Sequence, residues 1–265
     1  MELLGYLASV LIGISLGMVG SGGSILTVPV LVYLMGMNPL LATTSSLFIV
    51  GITSLAGGIR AYLKRLVDFK AVTEFGIPSI FSIFITRHHL LPAIPAHIFY
   101  IGREAVSREM LLMIIFAILM LGASISMIRR LPDTGESDPR AQPSHKAFPV
   151  ILIGLAIGVI TGMLGAGGGF LIIPTLVLFL KIPMKTAVGT SLLVIAINSL
   201  FGFLFSLNQF SYNWILILSF TVLAITGLFI GSKIAEKISP GALKKGFGWF
   251  VMCMGVYIIV KELFI

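Results

Sequence analysis

Ten apolar stretches, set apart by charged residues and chain breakers, run through this sequence: roughly 3–19, 24–37, 41–58, 68–86, 109–128, 149–165, 169–180, 186–206, 212–231 and 246–264. A membrane-spanning helix takes about 20 predominantly apolar residues, so segments of this length and number read as membrane helices. Lipid leaves no other state open, because an open sheet cannot pair its backbone there and barrel strands would alternate polar with apolar residues. Charge supports the same reading. The chain carries 18 Lys and Arg and 10 Asp and Glu in 265 residues, 11% of the total, where soluble domains hold about a quarter. The net charge of +8 does not mark a nucleic-acid binder, since the basic residues fall almost entirely between the apolar segments, where they set orientation. With Cys253 as the single cysteine, an intramolecular disulfide is excluded, and its place in the last apolar segment reads as a packed small side chain.

The sequence repeats itself. Shifted by 145 positions, Gly17 to Leu31 falls on Gly162 to Leu176 with eight of fifteen residues identical, and Ala42-Thr43-Thr44-Ser45-Ser46-Leu47 falls on Ala187-Val188-Gly189-Thr190-Ser191-Leu192 without a gap. Between the copies lies the most polar stretch, residues 131–147, rich in proline and free of apolar periodicity, which reads as a linker. The expected organisation is an N-terminal membrane repeat at 1–130, the linker, and a C-terminal repeat at 148–265. Fourteen of the basic residues follow odd-numbered segments, and four, Arg87, Arg103, Arg108 and Lys261, lie on the other side. The cytoplasmic preference of Lys and Arg then puts both termini outside a cytoplasmic membrane and the linker inside. The opening residues lack the basic flank of a signal peptide and are kept as the first element. Each half crosses an odd number of times, so the fold class is an all-α polytopic membrane protein. It is built as two inverted-topology repeats of about five helical segments, with short helices broken by glycine.

Segments 24–37 and 169–180 are short for about 30 Å of hydrocarbon and follow glycine runs. Helices that start inside the bilayer present unpaired N–H groups and a positive partial charge, suited to an anion. The candidate binding residues are therefore Ser21, Gly22, Gly23, Ser24, Gly167, Gly168 and Gly169, joined by Thr44, Ser45, Ser46, Thr190, Ser191 and Asn198 as hydrogen-bond donors. Pro29 and Pro174 are expected to kink the helices that follow. Within the apolar segments the acidic candidates for a coupling proton are Asp68, at the membrane edge, and Glu74, about two turns deeper. No Lys or Arg stands mid-segment, so an anion would be held by backbone amides and hydroxyls. Histidines 88, 89, 97 and 145 fall in connections and read as solvated. Neither a metal-ligand cluster nor a cofactor or catalytic motif is present in the sequence.

At these motifs the chain resembles the sulfite exporter TauE/SafE family of membrane permeases. The residues that carry the likeness are the doubled glycine runs with Pro29 and Pro174, Ala187-Val188-Gly189-Thr190-Ser191-Leu192, and Val67-Asp68-Phe69 repeated as Tyr212-Asn213-Trp214. The resemblance implies export of a small sulfur-containing oxyanion, sulfite or an organosulfonate, by secondary transport, and the inverted, glycine-broken repeats point to alternating access around a midplane site. The sequence departs from the family pattern where Ser21 and Ser24 interrupt the first glycine run and where Thr43-Thr44-Ser45 replaces Gly-Thr-Ser. Alternatives from other classes remain at this stage: a passive anion channel, or a membrane-embedded enzyme or scaffold. Partners implied by the sequence are the lipid bilayer and the anion, without nucleic acid, and no signature of oligomeric state is visible.

Overall fold

The computed structural model describes residues 2–20, 23–95, 97–101, 104–128, 147–165, 167–178, 180, 182–235 and 240–264. The first half contains α1 (Glu2–Val19), α2 (Ser24–Pro29) running into a π-helical turn at Val30–Leu34, α3 (Pro39–Leu63) and α4 (Phe69–Ile85). A second π-helical turn, Thr86–Leu90, and α5 (Leu91–Ala93) extend α4, and α6 (Arg108–Ile128) follows. The second half contains α7 (Ala147–Leu164), α8 (Gly169–Leu178), α9 (Met184–Leu204), α10 (Trp214–Ala235) and α11 (Pro240–Phe264). Among the described residues five helices are long and apolar enough to cross a membrane, with three shorter apolar ones beside them.

The all-α class holds, and one connection carries a short strand pair. A two-stranded antiparallel hairpin, β1 (His97–Ile101) and β2 (Glu104–Ser107), occupies the connection before α6. The fourth segment also runs further than the sequence boundary at 86, to Ala93, carrying Arg87, His88 and His89 on helix instead of in a connection. Pro92 has no N–H for the carbonyl four residues before it, and the ladder widens to π spacing just upstream. Pro29 likewise stands at the start of a π turn in place of a simple kink. Histidines 88 and 89 are exposed, with His88 stacked on Phe84 at 5.5 Å. Cys253 is exposed on α11, which corrects its reading as a packed residue. The linker expected at 131–147 falls outside the described residues apart from Ala147, the first residue of α7.

The polarity of the molecule is reversed from that of a soluble protein. Ile215 is 80% exposed and Ile77 66%, while Thr44, Ser45, Ser46, Thr190, Ser191, Asn198 and Ser199 are fully buried. A surface of this kind is stable only against hydrocarbon.

The two halves interlock. α1 packs along α10 and α7 along α4, while α3 packs against α9 and α6 against α11. Glycines permit the approach: a Cβ on Gly13 or Gly17 would overlap the backbone of Ala224 or Leu228, and one on Gly158 would overlap Ser79. The contacts recur at the 145-residue offset with the halves exchanged. Gly57 lies against Leu192 and Leu228, and Gly202 against Leu47 and Ile83; Gly13 meets Ala224 as Gly158 meets Ser79. Helix caps follow the same relation, with Asp68 Oδ1 accepting from the Ala71 amide at 3.1 Å and Asn213 Oδ1 from the Leu216 amide at 3.2 Å. One half therefore cannot move as a body against the other without separating α1 from α10 and α4 from α7.

Candidate functional site

The glycine runs terminate helices. α1 and α7 end at Gly20 and Gly165, whose amides donate to the carbonyls four residues back, of Leu16 and Thr161, each at 2.9 Å. Both take left-handed backbone, φ +83 and +68, which glycine adopts freely. The break brings Gly165 against the backbone of Thr43 on α3, and Ser46 Oγ donates to the Gly165 carbonyl at 2.6 Å. Gly20 meets Val188, the residue 145 positions beyond Thr43.

The next glycines in the second half open onto the α3–α9 contact. Gly167 and Gly168 again have positive φ, and a Cβ on Gly167 would stand 2.9 Å from Ser199 Oγ and against Ile195 and Val50. Gly169 begins α8, buried. Around this point several buried polar atoms have no hydrogen-bond partner: Ser54 Oγ on α3, Ser199 Oγ and Asn198 Nδ2 on α9, and Thr161 Oγ1 on α7, which faces Gly168. Ser54 and Ser199 are 145 residues apart. Buried donors are nearly always satisfied, and an unmet one costs about 1–3 kcal/mol, which makes these atoms the candidates for contact with a polar guest.

The other expected residues divide. Thr190 Oγ1 accepts from the Asp68 amide at 2.9 Å, and Ser191 Oγ donates to the Val188 carbonyl at 2.8 Å. Ser46 is spent on the Thr43 and Gly165 carbonyls. Ser45 Oγ is buried and unpartnered. Asn198 Oδ1 accepts from Ser79 Oγ at 2.8 Å, which orients its free amide nitrogen. Gly23 caps α2 and packs on the Ile12–Leu16 turn of α1 instead of facing a cavity, and Ser24 is fully buried behind it. Ser21 and Gly22 lie outside the described residues. Asp68 is the N-cap of α4. Glu74 is 21% exposed and pairs with Lys70 at 3.9 Å across one helical turn.

The expectation that no cation stands inside the apolar core is overturned by Arg87. Its side chain is fully buried on the π turn. Nη1 donates to Thr44 Oγ1 at 2.8 Å, with Ser206 Oγ at 3.5 Å, while Nε and Nη2 have no partner. Thr44 passes the contact on by donating to the Leu40 carbonyl at 3.1 Å. Burial pushes the Tyr212 hydroxyl up from its ordinary titration range, and the Arg87 charge pulls partly back; that hydroxyl donates to the Ser206 carbonyl at 2.9 Å. At the far end of α3, Arg60 donates to Ser232 Oγ, and Ser232 is the residue 145 positions beyond Arg87. Among the described residues no group of three or more His, Cys, Asp or Glu is placed to hold a metal.

An apolar exterior, helices broken at glycine inside the bundle, and a polar seam buried where they meet define a membrane transport protein. The family model described as sulfite exporter TauE/SafE matches residues 5–258, and the chain belongs to that family. Its relatives include a "Probable membrane transporter protein" of Xylella fastidiosa (strain Temecula1), 28% identical over 95% of this chain and 92% of the relative. Another is the "Probable membrane transporter protein YjnA" of Bacillus subtilis (strain 168), 28% identical over 96% and 98% of the two chains. A third, "Probable membrane transporter protein MJ0441" of Methanocaldococcus jannaschii, is 26% identical over 95% and 94%. No solved structure matches the chain.

Proposed function

We propose that this transporter exports a small sulfur-containing anion, sulfite or an organosulfonate, from the cytoplasm by ion-gradient-driven alternating access. The observation that carries the reading is a set of unpartnered polar atoms on the α3–α9 pair: Ser199 Oγ beside Gly167, Ser54 Oγ on α3, and Asn198 Nδ2, whose amide oxygen is held by Ser79 of α4. The α8 N-terminus adjoins them and adds backbone N–H groups and a favourable dipole end. The family description supports the substrate class. Contacts that recur with the halves exchanged support inverted repeats around a midplane site, and the balance of basic residues supports termini outside and residues 131–147 inside the cytoplasmic membrane. Because the halves interlock, the moving units are the mixed pairs α1 with α10 and α4 with α7, turning about α3 and α9. In this reading Glu74, in the apolar segment of α4, carries the coupling proton.

Flux of labelled methanesulfonate or sulfite in proteoliposomes tests the site. Asn198→Leu and Gly167→Leu each lower flux more than about tenfold, the equivalent of one buried hydrogen bond to an anion. Unchanged flux in both variants would show that the anion travels elsewhere.

A further inference from the structure

Arg87 has no role in the midplane site, yet a buried cation without a counter-ion is among the most expensive features a protein interior can hold. Among the described residues no carboxylate pairs with Arg87, and its partners are neutral: the hydroxyls of Thr44 and Ser206, and Tyr212. The two unpartnered donors, Nε and Nη2, are adjacent on one edge of the guanidinium. That edge is the fork that takes two oxygens of one oxyanion side-on.

The place is distinct from the midplane donors. Thr44 lies ten residues before Ser54 on α3 and Ser206 eight residues after Asn198 at the end of α9, so at 1.5 Å per residue Arg87 stands about 12–15 Å along the same helix pair. A recess of about 300 Å³, lined by Asn38, Leu40, Leu41, Glu109, Phe210 and Ser211, lies one helical turn beyond Thr44 at this end of the helix pair. Leu40, which lines it, accepts the Thr44 hydroxyl, and Phe210 and Ser211 precede Tyr212. Glu109 in the recess repels an anion, so the guanidinium is the last favourable stop before solvent.

We infer that Arg87, with Thr44 and Ser206, forms a second anion subsite, at the outer end of the path, that takes a singly charged oxyanion such as a sulfonate or hydrogen sulfite. The word outer rests on the orientation proposed above; the subsite itself does not. A monoanion neutralises the guanidinium, whereas a dianion leaves net charge in a dry site, which selects against sulfate.

Calorimetric titration of the purified full chain with sodium methanesulfonate, in a buffer free of other small oxyanions, tests this. The wild type binds two anions. Arg87→Met binds one, and it unfolds at a higher temperature than the wild type when no anion is present, because an uncompensated charge has been removed. Arg87→Lys keeps the charge but not the fork, and weakens the second site by about tenfold to hundredfold. Sulfate fails to fill that site in the wild type. A single site in the wild type that survives Arg87→Met and is lost in Asn198→Leu overturns the inference and leaves the midplane reading standing. A site lost in Arg87→Met while Asn198→Leu changes nothing does the reverse. If Arg87→Met lowers the anion-free unfolding temperature and keeps both sites, Arg87 is a structural brace and the inference is wrong.

Discussion

Replacing Gly165 and Gly36 in turn by alanine separates the conformational demand of a glycine from its demand for space. Both hold left-handed backbone, φ +68 and +67, which costs an L residue about 1–2 kcal/mol. Their surroundings differ. Nothing lies within 4 Å of a Cβ at Gly36, whereas one at Gly165 would stand 2.6 Å from the Thr43 carbonyl carbon and 2.7 Å from its Cα. Backbone faces backbone, so the break after α7 must part from α3, and such overpacking typically costs about 1–3 kcal/mol. Parting also stretches the bond from Ser46 Oγ to the Gly165 carbonyl, worth about 1 kcal/mol. Gly36→Ala should lose about 1–2 kcal/mol and Gly165→Ala about 3–6 kcal/mol, against a usual total of about 5–15. Thermal unfolding of both variants in one detergent, with yield after size exclusion, reads the difference. Equal losses at the two positions would refute the claim that the break in α7 is seated on α3.

Other substitutions test the remaining assignments. Asp68→Ala should cost about 0.5–2 kcal/mol as a lost N-cap, while Asp68→Asn keeps the acceptor and should behave as the wild type in both stability and flux. Loss of transport with stability intact in Asp68→Asn would point instead to an ionisable role. Glu74→Gln should leave anion binding unchanged and abolish accumulation driven by a proton gradient; full accumulation in that variant removes Glu74 from the mechanism. For Tyr212, the folded-state pKa lies above the ordinary value of 10.0. Its contribution to stability is therefore complete below pH 10 and declines as pH rises toward the folded pKa. Tyr212→Phe should flatten that decline in a pH series of unfolding temperatures, and an unchanged slope would show that the hydroxyl is not protected.

Local signals carried most of the architecture. Apolar runs and glycines report helices and breaks wherever they stand, and all ten segments appear as helices, the fourth running on to Ala93 and the last beginning early at Pro240. The caps at Asp68 and Asn213 depend only on residues within one turn, yet Asp68 is read from the sequence as a coupling-proton candidate and Asn213 only as its repeat. Arg87 was hidden by the same logic. A charged residue after an apolar run reads as a boundary, and its burial depends on Thr44, Ser206 and Tyr212, which only the fold assembles. The available signal was Leu90-Leu91, which prolongs the apolar segment past it. Hydroxyls divide in the structure for a related reason. Thr190, Ser191 and Ser46 have the same composition as Ser45, Ser54, Ser199 and Thr161, and the difference is whether a carbonyl or amide happens to lie within reach. Ser54 and Thr161 were not singled out as candidates at all, although the 145-residue relation of Ser54 to Ser199 marks the first of them.

Uptake of labelled methanesulfonate into proteoliposomes under an imposed proton gradient addresses the central claim most directly, that an oxyanion is held at the α3–α9 crossing and carried against its gradient. The account predicts accumulation above the equilibrium level for the wild type and none for the variant carrying both Asn198→Leu and Ser199→Ala. Accumulation that persists in that variant, or wild-type flux that only follows the anion's own electrochemical gradient, would contradict it.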